Sequence, residues 1–112
     1  PRSEQNDRFY VASQRLAEEL ERAMGYEVIV GFNEFCAPKI AEALDEAVER
    51  GAERVVVVTP MMTPGGEHSD EEIPAQIEAA RQRHERVEFA YAWPYEMSDV
   101  ANFLSAQVKR HV

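Results

Sequence analysis

Residues 51–68, GAERVVVVTPMMTPGGEH, contain the stretch of sequence that decides the fold. Val55–Val58 is a short, continuous run of β-branched residues, which is typical of a strand buried on both faces of a parallel sheet. The next residues, Thr59–His68, are rich in proline and glycine, which predicts a loop. The sequence therefore predicts a buried strand that ends in a loop of unusual composition.

Toward the amino terminus, helical and strand patterns alternate. Residues 5–24 predict an amphipathic helix ended by Gly25, because apolar residues recur at spacings of three and four. Tyr26–Phe32 is short, β-branched and aromatic, which predicts a strand. A further helix is predicted between Pro38 and Gly51. The apolar face of the first helix comprises Phe9, Ala12, Leu16, Leu20 and Ala23.

Toward the carboxyl terminus, the same alternation continues. A helix is expected to start close to Glu72, because Pro74 is tolerated only near a first turn. Val87–Ala92 predicts another strand, and Ser98 is expected to cap a last helix. The residues predicted to face inward are Ile73, Ile77 and Ala80 on the first of these helices, and Val100, Phe103 or Leu104, and Val108 on the second.

This alternation predicts an α/β fold in three layers, a parallel sheet flanked by helices with flavodoxin-like layering. Residues 1–112 are treated as a single domain, since domains commonly have roughly 100–200 residues. Three strands among four helices make a thin sheet. A first strand is therefore expected to be missing from this chain, and a strand before Pro1 would complete the sheet.

The composition argues against several classes of partner. Lys and Arg number 12 against 21 Asp and Glu, so the formal net charge is −9, whereas proteins that bind nucleic acids need a basic face. No apolar segment approaches the roughly 20 residues of a membrane-spanning helix, and no charged-then-apolar leader is recognised. The single cysteine, Cys36, favours a reducing compartment. We expect a cytoplasmic protein with no nucleic-acid or membrane partner.

Two polar residues come after the predicted strands at their carboxyl ends, where open α/β sheets bind their ligands. Glu34 comes after the first predicted strand, and His68 ends the loop after Val55–Val58. Because parallel strands end at the same edge of a sheet, we expect the two side chains to converge. Imidazole titrates near neutral pH and binds divalent transition metals, which makes His68 the strongest candidate. A loop histidine that only caps or meets solvent is the alternative.

The neighbouring residues allow both functional and structural interpretations. Gly65 and Gly66 permit a ligand to approach the backbone closely. Met61 and Met62 form either the apolar wall of a site or part of the core, and Cys36 is either a soft-metal ligand or a small buried side chain. Phosphate-loop, dinucleotide-binding, Cys-x-x-Cys and His-Glu-x-x-His motifs are absent from the sequence. Nucleotide-dependent chemistry and a structural zinc site are therefore unsupported.

Three stretches resemble a known family. Residues 32–38, FNEFCAP, are similar to its Phe-x-Glu-Phe-Ala-x-Pro stretch, and residues 51–58 resemble its Gly-Ala-x-x-Val/Ile-Val-Val-Val segment. Residues 64–74, PGGEHSDEEIP, resemble its Gly-x-His followed by an acidic residue and Ile-Pro. The family is the small single-domain sirohydrochlorin chelatases of the CbiX type, relatives of the class II ferrochelatases. The resemblance extends over nearly the whole chain.

This resemblance implies an ATP-independent chelatase of cobalamin or siroheme biosynthesis, with no organic cofactor. Its substrates would be sirohydrochlorin and a divalent metal ion, Co²⁺ or else Fe²⁺ or Ni²⁺. By position, His68 matches a catalytic and metal-binding histidine, and Glu34 matches the metal-associated glutamate. The family's small members are homodimers, which implies a homodimer here. Met61, Met62, Gly65 and Gly66 would then pack against the face of the ring. Arg2 is expected to contact the substrate as well, because an acidic chain needs local positive charge to bind a polycarboxylate.

The sequence also departs from the family. The family's first strand ends in His-Gly-Ser, which carries the first active-site histidine, and this motif is absent from the present sequence. Ser3-Glu4-Gln5-Asn6 already resembles the family's residues after that motif. Either the histidine precedes Pro1 in a longer chain, which we expect, or this is a defective copy that lacks it. Two hypotheses therefore stand beside the enzyme: a non-catalytic metal or tetrapyrrole carrier of the same fold, and a flavodoxin-like interaction domain without a ligand.

Overall fold

The computed structural model describes residues 4–32 and 37–112, with side chains described from residue 7 onward. Its α-helices are α1 (Glu4–Met24), α2 (Ile40–Glu49), α3 (Ile73–Arg83) and α4 (Met97–Lys109). Its strands are β1 (Arg54–Val57) and β2 (Glu88–Tyr91). A π-helical segment, His68–Glu72, leads directly into α3, and we call it the π-turn.

The strands β1 and β2 pair in parallel, with Arg54 opposite Glu88 and Val57 opposite Tyr91. The connection between them consists of the loop after β1, the π-turn and α3. A parallel pair needs such a crossover because its two strands run in the same direction. The predicted α/β fold, with a parallel sheet and four helices, is confirmed.

The strand predicted for Tyr26–Phe32 is wrong. Residues 27–31 have no regular secondary structure, and Phe32 forms only an isolated parallel bridge with Lys39. Gly31 lies so close to α2 that a Cβ atom there would be 3.0 Å from the Cβ of Ala43. A strand exists only where a neighbour completes its hydrogen-bonded ladder. Within the described ranges, this segment finds a helix to pack against but no strand to pair with.

The core lies on one side of the sheet, which we call the inner face. It is formed by Val55 and Val57 of β1 together with Phe89 and Tyr91 of β2, and α2 and α3 pack against it. The predicted buried side of α3 is confirmed. The buried core cluster comprises Leu44, Ile73, Ile77, Ala80 and Phe89.

The opposite side of the sheet, the outer face, presents Val56, Val58 and Ala90. Val56 is 56% exposed and Val58 is 51% exposed, so the prediction of burial on both faces is wrong. The reason is that no helix covers this side in the part of the chain that the structure describes: α1 and α4 make few contacts with other elements.

The apolar faces of α1 and α4 are correspondingly open. Val100 is buried as predicted, but the other residues predicted to face inward on α4 are exposed. On α1, Ala17 is buried while Phe9 and Leu16 are exposed. The helical periodicity of both segments is confirmed, but the partner that it requires is not among the described elements. The exposed residues of α4 are Phe103, Leu104 and Val108.

The helix ends differ from the predictions by one or two residues. Lys39 is the N-cap of α2, and its backbone N–H donates to the Glu42 carboxylate at 2.8 Å, so the helix proper begins after Pro38. Ser98 lies inside the first turn of α4, because Glu96 occupies the N-cap position. The prediction that Ser98 caps this helix is therefore wrong. None of the described helices combines the length and apolarity needed to cross a membrane.

Candidate functional site

The π-turn places His68 at the amino end of the third helical segment, after the loop that leads out of β1. The backbone N–H of Ile73 donates to the carbonyl of His68, which is the wider hydrogen bond of a π-helix. Pro74 explains this local widening, since in a regular α-helix its ring would clash with the carbonyl of Asp70. The predicted helix start close to Glu72 is thus one residue from the start of α3.

His68 has a carboxylate partner in the same turn. Its Nδ1 atom lies 2.6 Å from Oε2 of Glu72, and the two side chains are 47% and 42% exposed. A carboxylate one turn away restricts the orientation of a half-exposed imidazole. His68 is therefore paired within the π-turn, and its role as a functional histidine, rather than one that only caps or meets solvent, stays a prediction.

Asp70 ties the loop to the segment after β2. Its Oδ2 atom accepts a hydrogen bond from the backbone N–H of Gly65 at 2.6 Å, and its Oδ1 atom accepts one from Trp93 Nε1 at 2.9 Å. These bonds favour the charged carboxylate. They lower the pKa of Asp70 from its ordinary value, the Trp93 hydrogen bond having the largest effect.

The end of β2 holds the π-turn through a second contact. The hydroxyl of Tyr91 donates to the backbone carbonyl of Ser69 at 2.9 Å, and Ser69 is fully buried. Burial raises the pKa of Tyr91 to about 12, with a further contribution from the charges of Tyr95 and Asp70. Tyr91 therefore stays a neutral hydrogen-bond donor at physiological pH.

Tyr95 is hydrogen-bonded to the other end of the loop, at Thr59. Its hydroxyl accepts the backbone N–H of Thr59 at 2.9 Å and donates to the carbonyl of the same residue. Trp93 stacks near Tyr91 with ring centroids 6.2 Å apart and meets Tyr95 edge-on at 5.3 Å. Tyr91 at the end of β2, together with Trp93 and Tyr95 after it, thus holds both ends of the connection between β1 and α3.

Sequence reasoning missed Tyr91, Trp93 and Tyr95. The signal that could have found them is the rule used for Glu34 and His68, because Ala92–Tyr95 also lies just beyond the carboxyl end of a strand. The pairing of β1 with β2 brings both strand ends to one edge of the sheet. That pairing makes the two loops neighbours.

The other predicted site residues lie in different situations. Met61 and Met62 are 46% and 37% exposed, so neither belongs to the core. Gly65 has a φ of +113°, a conformation that side chains disfavour. A Cβ on Gly66 would lie 3.9 Å from Cε of Met61, which puts these two residues side by side.

Three predicted positions, Arg2, Glu34 and Cys36, fall outside the described residues, so the convergence of Glu34 with His68 stays a prediction. In the ranges that the structure does describe, no cluster of three or more His, Cys, Asp or Glu residues could hold a metal ion. His84, at the end of α3, is engaged elsewhere, with its Nε2 atom 2.7 Å from Oδ1 of Asp45.

A comparison with known protein families assigns nearly the whole chain to one family. The model of the CbiX family matches residues 3–110. The chain belongs to the CbiX family. Its π-turn, with His68 and Glu72, lies well inside the matched range.

Curated relatives of this CbiX chain are named as chelatases. A sirohydrochlorin cobaltochelatase of Sulfolobus acidocaldarius is 46% identical over 61 residues, which cover 54% of this chain and 48% of the relative. A sirohydrochlorin cobaltochelatase of Priestia megaterium is 40% identical over 63 residues, which cover 56% of this chain and 20% of the relative. The matches span half the length, or less, of the curated relatives.

Solved structures agree with this CbiX chain in fold. A CbiX protein from Marinobacter aquaeolei superposes with a TM-score of 0.67 at 18% identity, covering 96% of this chain and 92% of that one. The sirohydrochlorin chelatase SirB from Bacillus subtilis subspecies spizizenii, solved in complex with cobalt, superposes with a TM-score of 0.67 at 22% identity. The match covers 81% of this chain and 38% of that one. At these identities the likeness concerns the fold.

Proposed function

We propose that this CbiX chain inserts a divalent metal ion, Co²⁺ above all, into sirohydrochlorin, with neither ATP nor an organic cofactor. The observation that carries the proposal is the paired imidazole of His68, presented by the π-turn next to the loop after β1. Membership of a family with curated cobaltochelatase relatives supports it. The reaction would belong to cobalamin or siroheme biosynthesis.

The proposed catalytic residue is His68. Metal insertion replaces pyrrole N–H protons by the ion, so the site needs a base within hydrogen-bond reach of the ring nitrogens. A neutral imidazole can accept such a proton and can also bind the ion before transfer. Glu34 is proposed to offset the charge of the ion and to help remove its water.

Four of the proposed substrate contacts lie in the loop that leads from β1 to His68, and the fifth is Arg2. Met61 and Met62 expose flexible, polarizable thioethers, which suit the flat apolar face of a macrocycle. Gly65 and Gly66 carry no side chain that would hold the ring away from the backbone. Arg2 is proposed to pair with a carboxylate at the rim of the macrocycle, because the acidic chain needs local positive charge to bind a polycarboxylate.

We further propose that the enzyme works as a homodimer in the cytoplasm. The single cysteine is compatible with a reducing compartment. Half-exposed apolar side chains on α1 and α4 supply surface that association can bury. Light scattering coupled to gel filtration tests the dimer directly, and a monomer at working concentration overturns it.

The decisive experiment mixes the chain with sirohydrochlorin and Co²⁺ under anaerobic conditions and monitors the visible absorption spectrum. We expect a time-dependent change to the metallated spectrum, faster than the protein-free control. Loss of a general base commonly costs about 10²–10⁴-fold in rate, so His68→Ala is expected to fall by that order. Fe²⁺ and Ni²⁺ in the same assay determine whether cobalt is preferred.

The matched control is His111→Ala, which removes an exposed histidine just beyond α4. It is expected to insert cobalt at the rate of the unaltered chain. Full activity in His68→Ala overturns the role of that residue. Spectral changes on binding without metallation would instead support the carrier hypothesis.

A further inference from the structure

We propose that Glu72 is a positioning residue, which holds the proton of His68 on Nδ1 and thereby presents Nε2 to the metal ion and the pyrrole proton. The proposal rests on the proposed function of His68 as base and ligand. The pairing that carries it involves only residues of the chain itself. It can therefore be tested without any substrate.

The chemistry of this contact favours one tautomer of a neutral His68. Oε2 of Glu72 lies 2.6 Å from Nδ1 of His68. A carboxylate accepts hydrogen bonds, and a neutral imidazole carries its proton on one nitrogen and a lone pair on the other. With the proton on Nδ1 donated to Glu72, the lone pair belongs to Nε2, the other nitrogen of the ring.

The backbone of the π-turn fixes the position of Glu72 relative to His68. His68 and Glu72 are the first and last residues of the π-turn. Ile73, the next residue, is buried in the core and donates its N–H to the carbonyl of His68. The core thus holds the carboxylate and the imidazole on one wide turn.

Two contacts from the end of β2 hold the two residues immediately after His68. Tyr91 donates to the carbonyl of Ser69, and Trp93 donates to the carboxylate of Asp70. These bonds fix the backbone of the π-turn, but neither of them involves the imidazole of His68. Glu72 constrains the ring directly, because it contacts one of the ring nitrogens. Such partners of metal-binding histidines orient the ring and set its tautomer.

The chain offers a matched control one residue away. Glu71 is an exposed carboxylate in the same π-turn, and no hydrogen bond or ion pair engages it among the residues that the structure describes. Glu71→Ala changes the charge of the turn by the same amount as Glu72→Ala. It leaves the contact with His68 intact.

The first test measures the tautomer by long-range ¹H–¹⁵N spectra of the metal-free chain, at alkaline pH where imidazole is neutral. The His68 signals are identified with His68→Ala. We expect the proton on Nδ1 in the unaltered chain and in Glu71→Ala, and a mixture of both tautomers in Glu72→Ala. A proton on Nε2 in the unaltered chain, or an unchanged tautomer in Glu72→Ala, overturns the proposal.

The second test measures cobalt insertion. Removing the partner of a metal-binding histidine commonly costs about 10–100-fold in activity or affinity, so kcat of Glu72→Ala is expected to fall in that range with KM for sirohydrochlorin unchanged. Glu71→Ala is expected to keep both constants. Equal kcat values in Glu72→Ala and the unaltered chain overturn the positioning role.

The two tests separate this proposal from the one on which it rests. If no form of the chain inserts cobalt, the proposed chelatase function fails, and the tautomer spectra alone decide whether Glu72 sets the proton of His68. If insertion occurs and the tautomer does not respond to Glu72→Ala, the chelatase function stands and the role of Glu72 falls.

Discussion

The inner and outer faces of the sheet carry similar residues in opposite surroundings. Val55 and Val57 pack against the core cluster, whereas Val56 and Val58, their neighbours along the chain, are about half exposed. The apolar residues of a sequence are those whose burial is favourable, but the pattern alone does not indicate which element will cover them. The packing of the residues that the structure describes is therefore one-sided.

The same contrast separates the helices α3 and α4. On α3, Ile73, Ile77 and Ala80 are buried, because α3 meets both α2 and β2. On α4, Phe103 and Leu104 remain about half exposed. The stability of the described chain is thus concentrated in α2, α3 and the inner face of the sheet.

The largest expected effect of a substitution is at the centre of the packed side. Ile77 is 1% exposed. We expect Ile77→Ala to lower the free energy of unfolding by about 3–4 kcal/mol, since it removes buried methyl groups and leaves a cavity. Urea denaturation monitored by circular dichroism measures this change.

The matched substitution on the open side is Leu104→Ala, at a residue that is 50% exposed. We expect it to cost less than about 1 kcal/mol in the folding of a single chain, because only part of this side chain leaves water on folding. Similar losses for the two variants would contradict the contrast between α3 and α4.

The loop that leads from β1 to the packed helix α3 gives the next largest effect. Gly65 has a φ of +113°, and a residue forced into such a region costs about 1–3 kcal/mol. We expect Gly65→Ala to lower the melting temperature accordingly. Gly66→Ala serves as the control, because a Cβ there meets Ser69 Oγ at an ordinary 3.5 Å. Equal melting temperatures for the two variants would refute the strain at Gly65.

A smaller effect is expected where α2 and α3 are joined at the surface. The hydrogen bond from His84 lowers the pKa of Asp45 more than any other interaction, and Arg83 adds to this against the opposing effect of burial. Because the Asp45 side chain is more than a third exposed, Asp45→Asn is expected to cost less than about 1 kcal/mol at neutral pH.

The pH dependence of this contribution has a definite sign. A carboxyl whose pKa is lowered by folding stabilises the chain above its unfolded pKa of about 3.9, and the contribution disappears as pH falls through the lower folded pKa. The difference between the unaltered chain and Asp45→Asn should therefore shrink in acid. A double-mutant cycle with His84→Gln isolates the pair. Additive losses in that cycle would argue against the coupling.

The smallest expected effect is on the outer face. We expect Val56→Thr to change the free energy of unfolding by no more than about 0.5 kcal/mol, because the side chain stays in water. Val55→Thr, on the inner face of the same strand, should cost about 1–3 kcal/mol, because a hydroxyl is placed against the core. Chemical denaturation of both variants makes the comparison. Equal costs would show that the outer face is covered in solution.

Local patterns predicted the parts of the fold that depend on neighbours in sequence. The spacing of Ile73, Ile77 and Ala80 identified the buried side of α3, and the extent of α1 was predicted within one residue. Tyr26–Phe32 failed because a strand depends on a partner that is distant in sequence. The residues there are of the types that strands prefer, but this preference alone does not supply the neighbouring strand with which they would form hydrogen bonds.

The candidate site could likewise be predicted only where it depends on residues close together in sequence. His68 and its place before a helix could be inferred from the strand, loop and helix order along the chain. Its partner Glu72 depends on a π-turn, which the pattern around Pro74 did not predict. The contacts of Trp93 with Asp70 and of Tyr91 with Ser69 join segments more than 20 residues apart and arise only from the pairing of β1 with β2.

The hydrogen bond between Trp93 and Asp70 has a practical consequence. Trp93 is the only tryptophan in the sequence, and its indole N–H reaches a residue two positions from His68. The fluorescence of an indole depends on the hydrogen-bond partner of its N–H group. A nearby tetrapyrrole quenches this fluorescence by accepting the excitation energy of the indole. The chain therefore carries its own optical reporter beside the proposed site, and occupancy of that site can be monitored in titrations without any label.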